Sequence, residues 1–333
     1  MRTDGPLLPL LAPRDYASDT RARLDRLTEE LATGRQADTG RALTSDFSTF
    51  SRVSHELRTI EARGSALDRA AIWTEVAQTS LGALDGVSKS LDEAVVTSLS
   101  AADGRSFANL AKAGDAALGD MVRILSKTDG GRAVFGNGDT SGTPPYDLET
   151  LRAETRALAQ AATDLPSLLQ SFDDYFAAGG GVEASAQSAF PADPLKFPLG
   201  GGESLEVPVD ARDSAIRDAL KQAALVAALP EAGFDVTPTD RRTLAIELPR
   251  RAAGASGDLA GLRGGLGSVE ARIGLLATRL GEDRTDLEAR RTDAVGTDAF
   301  DVATRLQSEM SRLETIYAVT ARRSRLNLTD FLR

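Results

Sequence analysis

Cysteine is absent from the 333 residues, which excludes disulfides, thiolate metal sites and cysteine nucleophiles. Histidine is nearly absent: His55 is the single imidazole. Multi-histidine metal sites are therefore excluded, and a Ser-His-Asp arrangement has no base but His55. Aromatic residues make up 5%, with one tryptophan, Trp73. That little bulk suits long helices with slim interfaces better than a wide globular core. Positive charge is also short, with 39 basic against 49 acidic residues and a net −10. A phosphate-binding protein needs a basic face, so no nucleic acid is expected as a partner. An anionic membrane surface is disfavoured for the same reason. No run approaches about 18 apolar residues, so no membrane insertion is expected.

At the amino terminus, Asp4 and Gly5 stand where a signal peptide needs basic residues. Pro6, Pro9 and Pro13 interrupt a short apolar stretch. A cleaved leader is not expected, and a secreted chain would leave by another route.

Apolar periodicity is the strongest positive signal. Residues 18–127 read as helix with few breaks, the first a short interruption around Gly34 to Gly40. Leu24, Leu27 and Leu31 open a stripe at spacings of three and four, and Phe50, Leu57, Ile60, Leu67, Leu81, Leu84, Leu91 and Val95 extend it. Gly104 marks a reversal, after which Leu110, Leu118, Val122 and Leu125 form another helical face. Residues 129–145 are too rich in Gly, Asn, Asp and Pro for helix interior and read as a turn-rich junction. Helix returns over residues 147–178 with a break at Pro166. Ser204-Leu205-Glu206-Val207 alternates like a strand, and residues 213–229 are helical again. Leu244-Ala245-Ile246-Glu247-Leu248 fits a strand or the start of the next helix.

Leu259, Leu262, Leu266, Val269, Ile273, Leu276 and Leu280 alternate three and four apart, the seam of a coiled coil. That seam fits either a bundle core inside one molecule or a contact between molecules. Gly261, Gly264, Gly265 and Gly267 beside it either fray the helix or allow close helix approach. Val302, Leu306, Met310, Leu313 and Tyr317 then carry a final stripe. The expected fold is mainly α: a long antiparallel helical bundle or coiled coil formed by both termini, with a smaller α+β insert domain. The expected division is 1–142, 143–250 and 251–333.

No constellation joins a nucleophile, a base and an orienting group, so no enzyme is expected, and no cofactor. His55 lies in a helix between Phe50 and Ile60 and reads as structural. Trp73 reads as a core or subunit-contact residue. The glycine runs at 179–181 and 200–202 lack both phosphate-loop patterns and read as linker or hairpin. Asp173 and Asp174 diverge on a helix and read as a solvated face. The expected subunit-contact residues are Leu24, Leu27 and Leu31 at one end. At the other they are Val302, Leu306, Met310, Leu313 and Tyr317, with Leu326, Leu328 and Phe331 in the tail.

Three stretches carry a family resemblance. Glu30-Leu31-Ala32-Thr33-Gly34-Arg35 resembles the helix–Gly–basic segment of the flagellin superfamily. Leu313-Glu314-Thr315-Ile316-Tyr317-Ala318-Val319-Thr320-Ala321-Arg322, followed by Ser324-Arg325-Leu326-Asn327-Leu328-Thr329-Asp330-Phe331-Leu332-Arg333, is similar to the tail of its hook-associated proteins of the hook–filament junction. Phe135-Gly136 with Ser141-Gly142-Thr143-Pro144-Pro145 resembles the turn before their variable domain. The resemblance implies a secreted structural subunit of the bacterial flagellum, exported with a flagellar chaperone and located outside the cell. Its implied partners are copies of itself in a ring, flagellin and a neighbouring hook-associated protein. Flagellin itself, or a cytosolic coiled-coil scaffold, stands as the alternative.

Overall fold

Alanine, leucine and arginine are strong helix formers and they dominate this chain. The fold is accordingly mainly helical. The structure, a computed structural model, describes residues 8–35, 37, 47–100, 104–139, 141–187, 190–191 and 194–331. Side chains at 8–15, 47, 49, 100, 104–107, 294–295 and 323–331 lie outside that description.

The helices are α1 (Leu8–Thr33), α2 (Phe47–Ser100), α3 (Gly104–Leu125), α4 (Leu148–Ala161), α5 (Leu165–Phe176) and the single-turn α6 (Gly181–Ala184). They continue as α7 (Ser214–Ala228), α8 (Pro238–Val295) and α9 (Ala299–Phe331). Two antiparallel hairpins pair β1 (Thr128–Asp129) with β2 (Arg132–Ala133) and β3 (Leu195–Gly200) with β4 (Glu203–Val207). The chain folds into two compact units, Met1–Glu61 with Leu280–Arg333, and Ala62–Arg279.

This grouping differs from the expected 1–142, 143–250 and 251–333. Helix α3, placed with the amino-terminal half, packs along α7 from the expected insert. Gly114 explains how closely they approach: a Cβ there would stand 2.5 Å from the Ala227 nitrogen and 2.8 Å from Val226 Cγ1. Ala219, Ala223 and Ala224 of α7 are fully buried, and small side chains of this kind let two helix backbones pack closely.

In the second unit, α2 and α8 run antiparallel. Gln78 Nε2 donates to the Arg263 carbonyl at 2.8 Å, and Ser256 Oγ donates to Asp85 Oδ1 at 3.0 Å. Leu259, Leu266 and Ile273 are buried, and Leu262, Val269 and Leu276 are half-buried. This stretch of the heptad seam therefore closes inside one chain. Gly261, Gly264 and Gly265 admit no close neighbour among the described residues, since a Cβ on any of them meets nothing within 4 Å, and one on Gly267 would meet only Gln78 Nε2 at 3.9 Å. Leu244 and Leu248 belong to α8, which runs through Pro249. A proline removes one helical hydrogen bond. Beside it, Gln222 Nε2 of α7 donates to the Leu248 carbonyl at 3.0 Å. Arg251 then forks onto Asp173 of α5 at 2.7 and 3.0 Å, and Lys221 reaches the same carboxylate at 3.0 Å. Burial alone would push Asp173 up, but Arg251 and Lys221 hold it below its ordinary value. It is a structural anchor, unlike the solvated face expected.

Helix boundaries follow capping chemistry. Asp164 and Ser167 form a capping box at the start of α5, so Pro166 sits within the first turn and does not cause the break. The expected strand near Ser204 is β4. Its partner β3 buries Leu195, Phe197 and Leu199 on one face. Helix α1 starts ten residues before the expected Ser18 and includes Pro9 and Pro13. Pro9 lies in the first turn, where its missing N–H has no helical acceptor.

The Asp92 carboxylate opposes folding at neutral pH. Asp92 on α2 has an Oδ1 buried without a hydrogen-bond partner among the described residues, and burial raises its pKa to about 6. The folded state therefore holds this proton more tightly than the unfolded state. Stability from this group falls as pH rises from 3.8 to about 6, and the penalty persists above that. Asp92→Asn is expected to stabilise the protein at pH 7 by about 1 kcal/mol, a figure reduced because the group is half-buried. Urea midpoints of both proteins at pH 4 and pH 7 check this: the difference should appear only at pH 7. A variant less stable than the parent at pH 7 contradicts the argument.

Candidate assembly surface

The first unit is built from chain ends. A small cluster of Val53, Leu57 and Leu287, with Ile60 against it, forms one part of its core. Helices α1 and α9 form the other part. Gly34 stops α1 by taking the left-handed conformation at φ +66°, and its N–H bonds the Glu30 carbonyl at 2.8 Å. Asp298 caps α9, accepting from the Phe300 N–H at 2.8 Å. These two ends are tied together: Arg35 bridges Gly296 in antiparallel fashion, and the Thr297 N–H donates to the Gly34 carbonyl at 3.2 Å. Two arginines of α1 then reach α9. Arg23 Nη1 lies 3.7 Å from Glu309 Oε1, and the Arg21 guanidinium lies 5.5 Å from the centre of the Tyr317 ring. The helices therefore pass in opposite directions.

Leu24 and Leu27 are half-buried, and Leu31 is 39% exposed. On α9, Val302 is buried, while Leu306 and Leu313 are half-buried. Met310 and Tyr317, expected to continue this seam, are 54% and 42% exposed. Glu309 and Ile316 take their places on the inward edge. The reason is geometric: from Val302, steps of four and three stay on one face and arrive at 306, 309, 313 and 316. Leu326, Leu328 and Phe331 lie in the α9 backbone, but their side chains are outside the described residues.

Thr20 and Glu309 are the inward residues that apolar patterning missed. Thr20 is buried and turns its hydroxyl onto the Tyr16 carbonyl at 2.8 Å. Ile316 was legible from strict heptad spacing; Thr20 and Glu309 carry no apolar signal. Around this pair, Tyr16, Phe300, Met310 and Val319 are each more than half exposed. So many large apolar side chains on two slim helices form a candidate contact surface.

Charge is divided unevenly between the units. The first carries 18 basic and 20 acidic residues, a net −2, and the second 21 and 29, a net −8. Copies brought together through the first unit meet little net repulsion.

His55 is exposed on α2, and Trp73 is buried in the second unit. A cleft of about 550 Å³ lined by Lys112, Asp115, Arg152 and Glu231 has its central charge satisfied within the chain. Arg152 is gripped there by Asp115 at 2.8 and 2.9 Å and by Glu149 at 2.7 Å. Among the described residues no group of three or more His, Asp or Glu gathers as a metal site, and no helix is long and apolar enough to cross a membrane. No protein-family model matches the chain, and comparison with curated proteins finds no match either.

Proposed function

We propose that this protein is a structural subunit of the bacterial flagellum that joins the hook to the flagellin filament by self-assembly of its terminal helices. The observation that carries the reading is the pair α1 and α9, tied at Arg35 and Gly296, with Met310, Val319 and Phe300 exposed along it. Two slim helices gain little from each other alone, because most helical stability in proteins comes from tertiary packing of an amphipathic face. Copies of the chain supply the missing partners. In this reading the terminal helices form an antiparallel coiled coil. Its partners are copies in a ring, flagellin, a neighbouring hook-associated protein and an export chaperone, and it works outside the cell. The tail from Leu326 to Arg333 motivates the junction over the filament, through resemblance.

Imaging isolated hook–basal bodies that carry a labelled copy tests this. Label confined to a narrow band at the hook tip is the expected result, with flagellin spilling into the medium when the gene is deleted. Label along the whole filament assigns the chain to flagellin instead. Label found only in the cytosol, with normal filaments after deletion, overturns the flagellar reading and favours a coiled-coil scaffold.

A further inference from the structure

We propose that α9 carries two overlapping seams and rolls from one to the other when a second copy of this chain docks, an inference that rests on the assembly reading above. In the structure, the inward seam is Val302, Leu306, Glu309, Leu313 and Ile316. It contains a defect. Among the described residues, Glu309 Oε2 is buried with no hydrogen-bond partner. Glu309 Oε1 makes two loose ion pairs, 3.7 Å from Arg23 and 3.7 Å from Arg312. A buried carboxylate oxygen without a donor opposes the pairing that encloses it. One residue further on, Met310 and Tyr317 face solvent.

The second seam is Val302, Leu306, Met310, Leu313 and Tyr317. It shares three residues with the first and is apolar throughout. Residues on an α-helix are spaced by about 100°, so exchanging Glu309 for Met310 and Ile316 for Tyr317 turns the centre of the face by about 40°. That roll lifts Glu309 into solvent and brings Met310 and Tyr317 inward. It requires no unfolding of α9 and no slip along its axis, so the tie at Arg35 and Gly296 stays in place.

Two arginines hold the first seam. Arg21 lies over the Tyr317 ring and keeps it outward. Arg23 holds Glu309 inward. A second copy is the occupant that releases both. Its first unit has 20 acidic residues in near balance with 18 basic ones, so its carboxylates draw Arg21 and Arg23 away while Glu309, once outside, meets its arginines. A strongly basic or acidic partner satisfies one half of this exchange only.

The absence of native cysteine makes the test direct. Single-cysteine variants Ile316→Cys and Met310→Cys of the full chain, which keep Glu309, Tyr317 and both arginines, are alkylated as monomer and after self-association at high concentration. In the monomer the thiol at 310 is expected to react at least tenfold faster than the thiol at 316, and in the assembled form the order reverses. Hydroxyl-radical oxidation of Met310 and Tyr317 in the unmodified chain should fall on assembly, which guards against one variant that fails to fold. Assembly with the monomer order retained overturns the roll and leaves the structural role intact. Failure of the unmodified chain to associate under any condition overturns the assembly reading, and the roll with it.

Discussion

Gly114→Val is expected to unfold the second unit or to lower its stability by about 3 kcal/mol or more, out of roughly 5–15 kcal/mol typical of a domain. A Cβ at this position would meet the Ala227 nitrogen at 2.5 Å, Val226 Cγ1 at 2.8 Å and the Val226 carbonyl carbon at 2.9 Å. Two of those three atoms are backbone of α7, so no side-chain rotation relieves the clash. The helices must move apart, and that breaks the packing of α3 along α7. Valine adds two further methyl groups to the same gap. Trp73 is the single tryptophan and is buried in this unit, so its fluorescence during urea denaturation reports on it directly. Gly264→Ala is the matched control: its Cβ meets nothing within 4 Å. Replacing an exposed helical glycine by alanine is expected to stabilise by about 0.5–1 kcal/mol. A valine at 114 that leaves the urea midpoint unchanged would falsify the close approach of α3 to α7.

Removing residues 301–333 is expected to abolish self-association while the second unit stays folded. The deletion takes away the inward residues Val302, Leu306 and Leu313 and the exposed Met310, Tyr317 and Val319 together. Helix α1 then keeps no partner for Leu24 and Leu27, and its amides should exchange as fast as those of an isolated helix. The second unit has its own buried residues on α2, α3, α7 and α8, so the Trp73 transition should shift little. Sedimentation gives the first readout, and hydrogen exchange with fluorescence gives the second. Assembly that survives the deletion places the contact surface elsewhere. Loss of the Trp73 transition shows that the second unit depends on α9 for its folding.

Periodicity made much of this fold legible. Leu259, Leu266 and Ile273 are inward because a three-four alternation keeps one face of α8 turned to a neighbour. Glycine and proline clusters between 129 and 145 placed turns correctly, and the alternation at Ser204 to Val207 placed a strand. Pattern alone did not show whose face fills a seam. The even choice between an intramolecular core and a contact between copies was settled by Gln78 and Asp85, which bond Arg263 and Ser256 of the same chain. Glycines were misjudged for a related reason. Close approach depends on what lies opposite, so Gly114 carries a helix crossing while Gly261, Gly264 and Gly265 face open space.

The terminal helix shows the division most clearly. Composition, heptads and missing cysteine already determined a helical chain with amphipathic ends and no thiolate or multi-histidine site. These follow from local propensity and from which side chains are present at all. Which stripe of α9 turns inward was decided by tertiary structure. The two stripes lie about 40° apart, and the one left outward is the more apolar, carrying Met310 where the inward one carries Glu309, so an apolar pattern alone selects the wrong face. The choice between them fell to Arg23 on Glu309 and Arg21 over Tyr317, contacts between residues nearly 300 positions apart in the chain. An apolar pattern weighs each helix alone, whereas burial of a carboxylate depends on the cations a second helix brings to it.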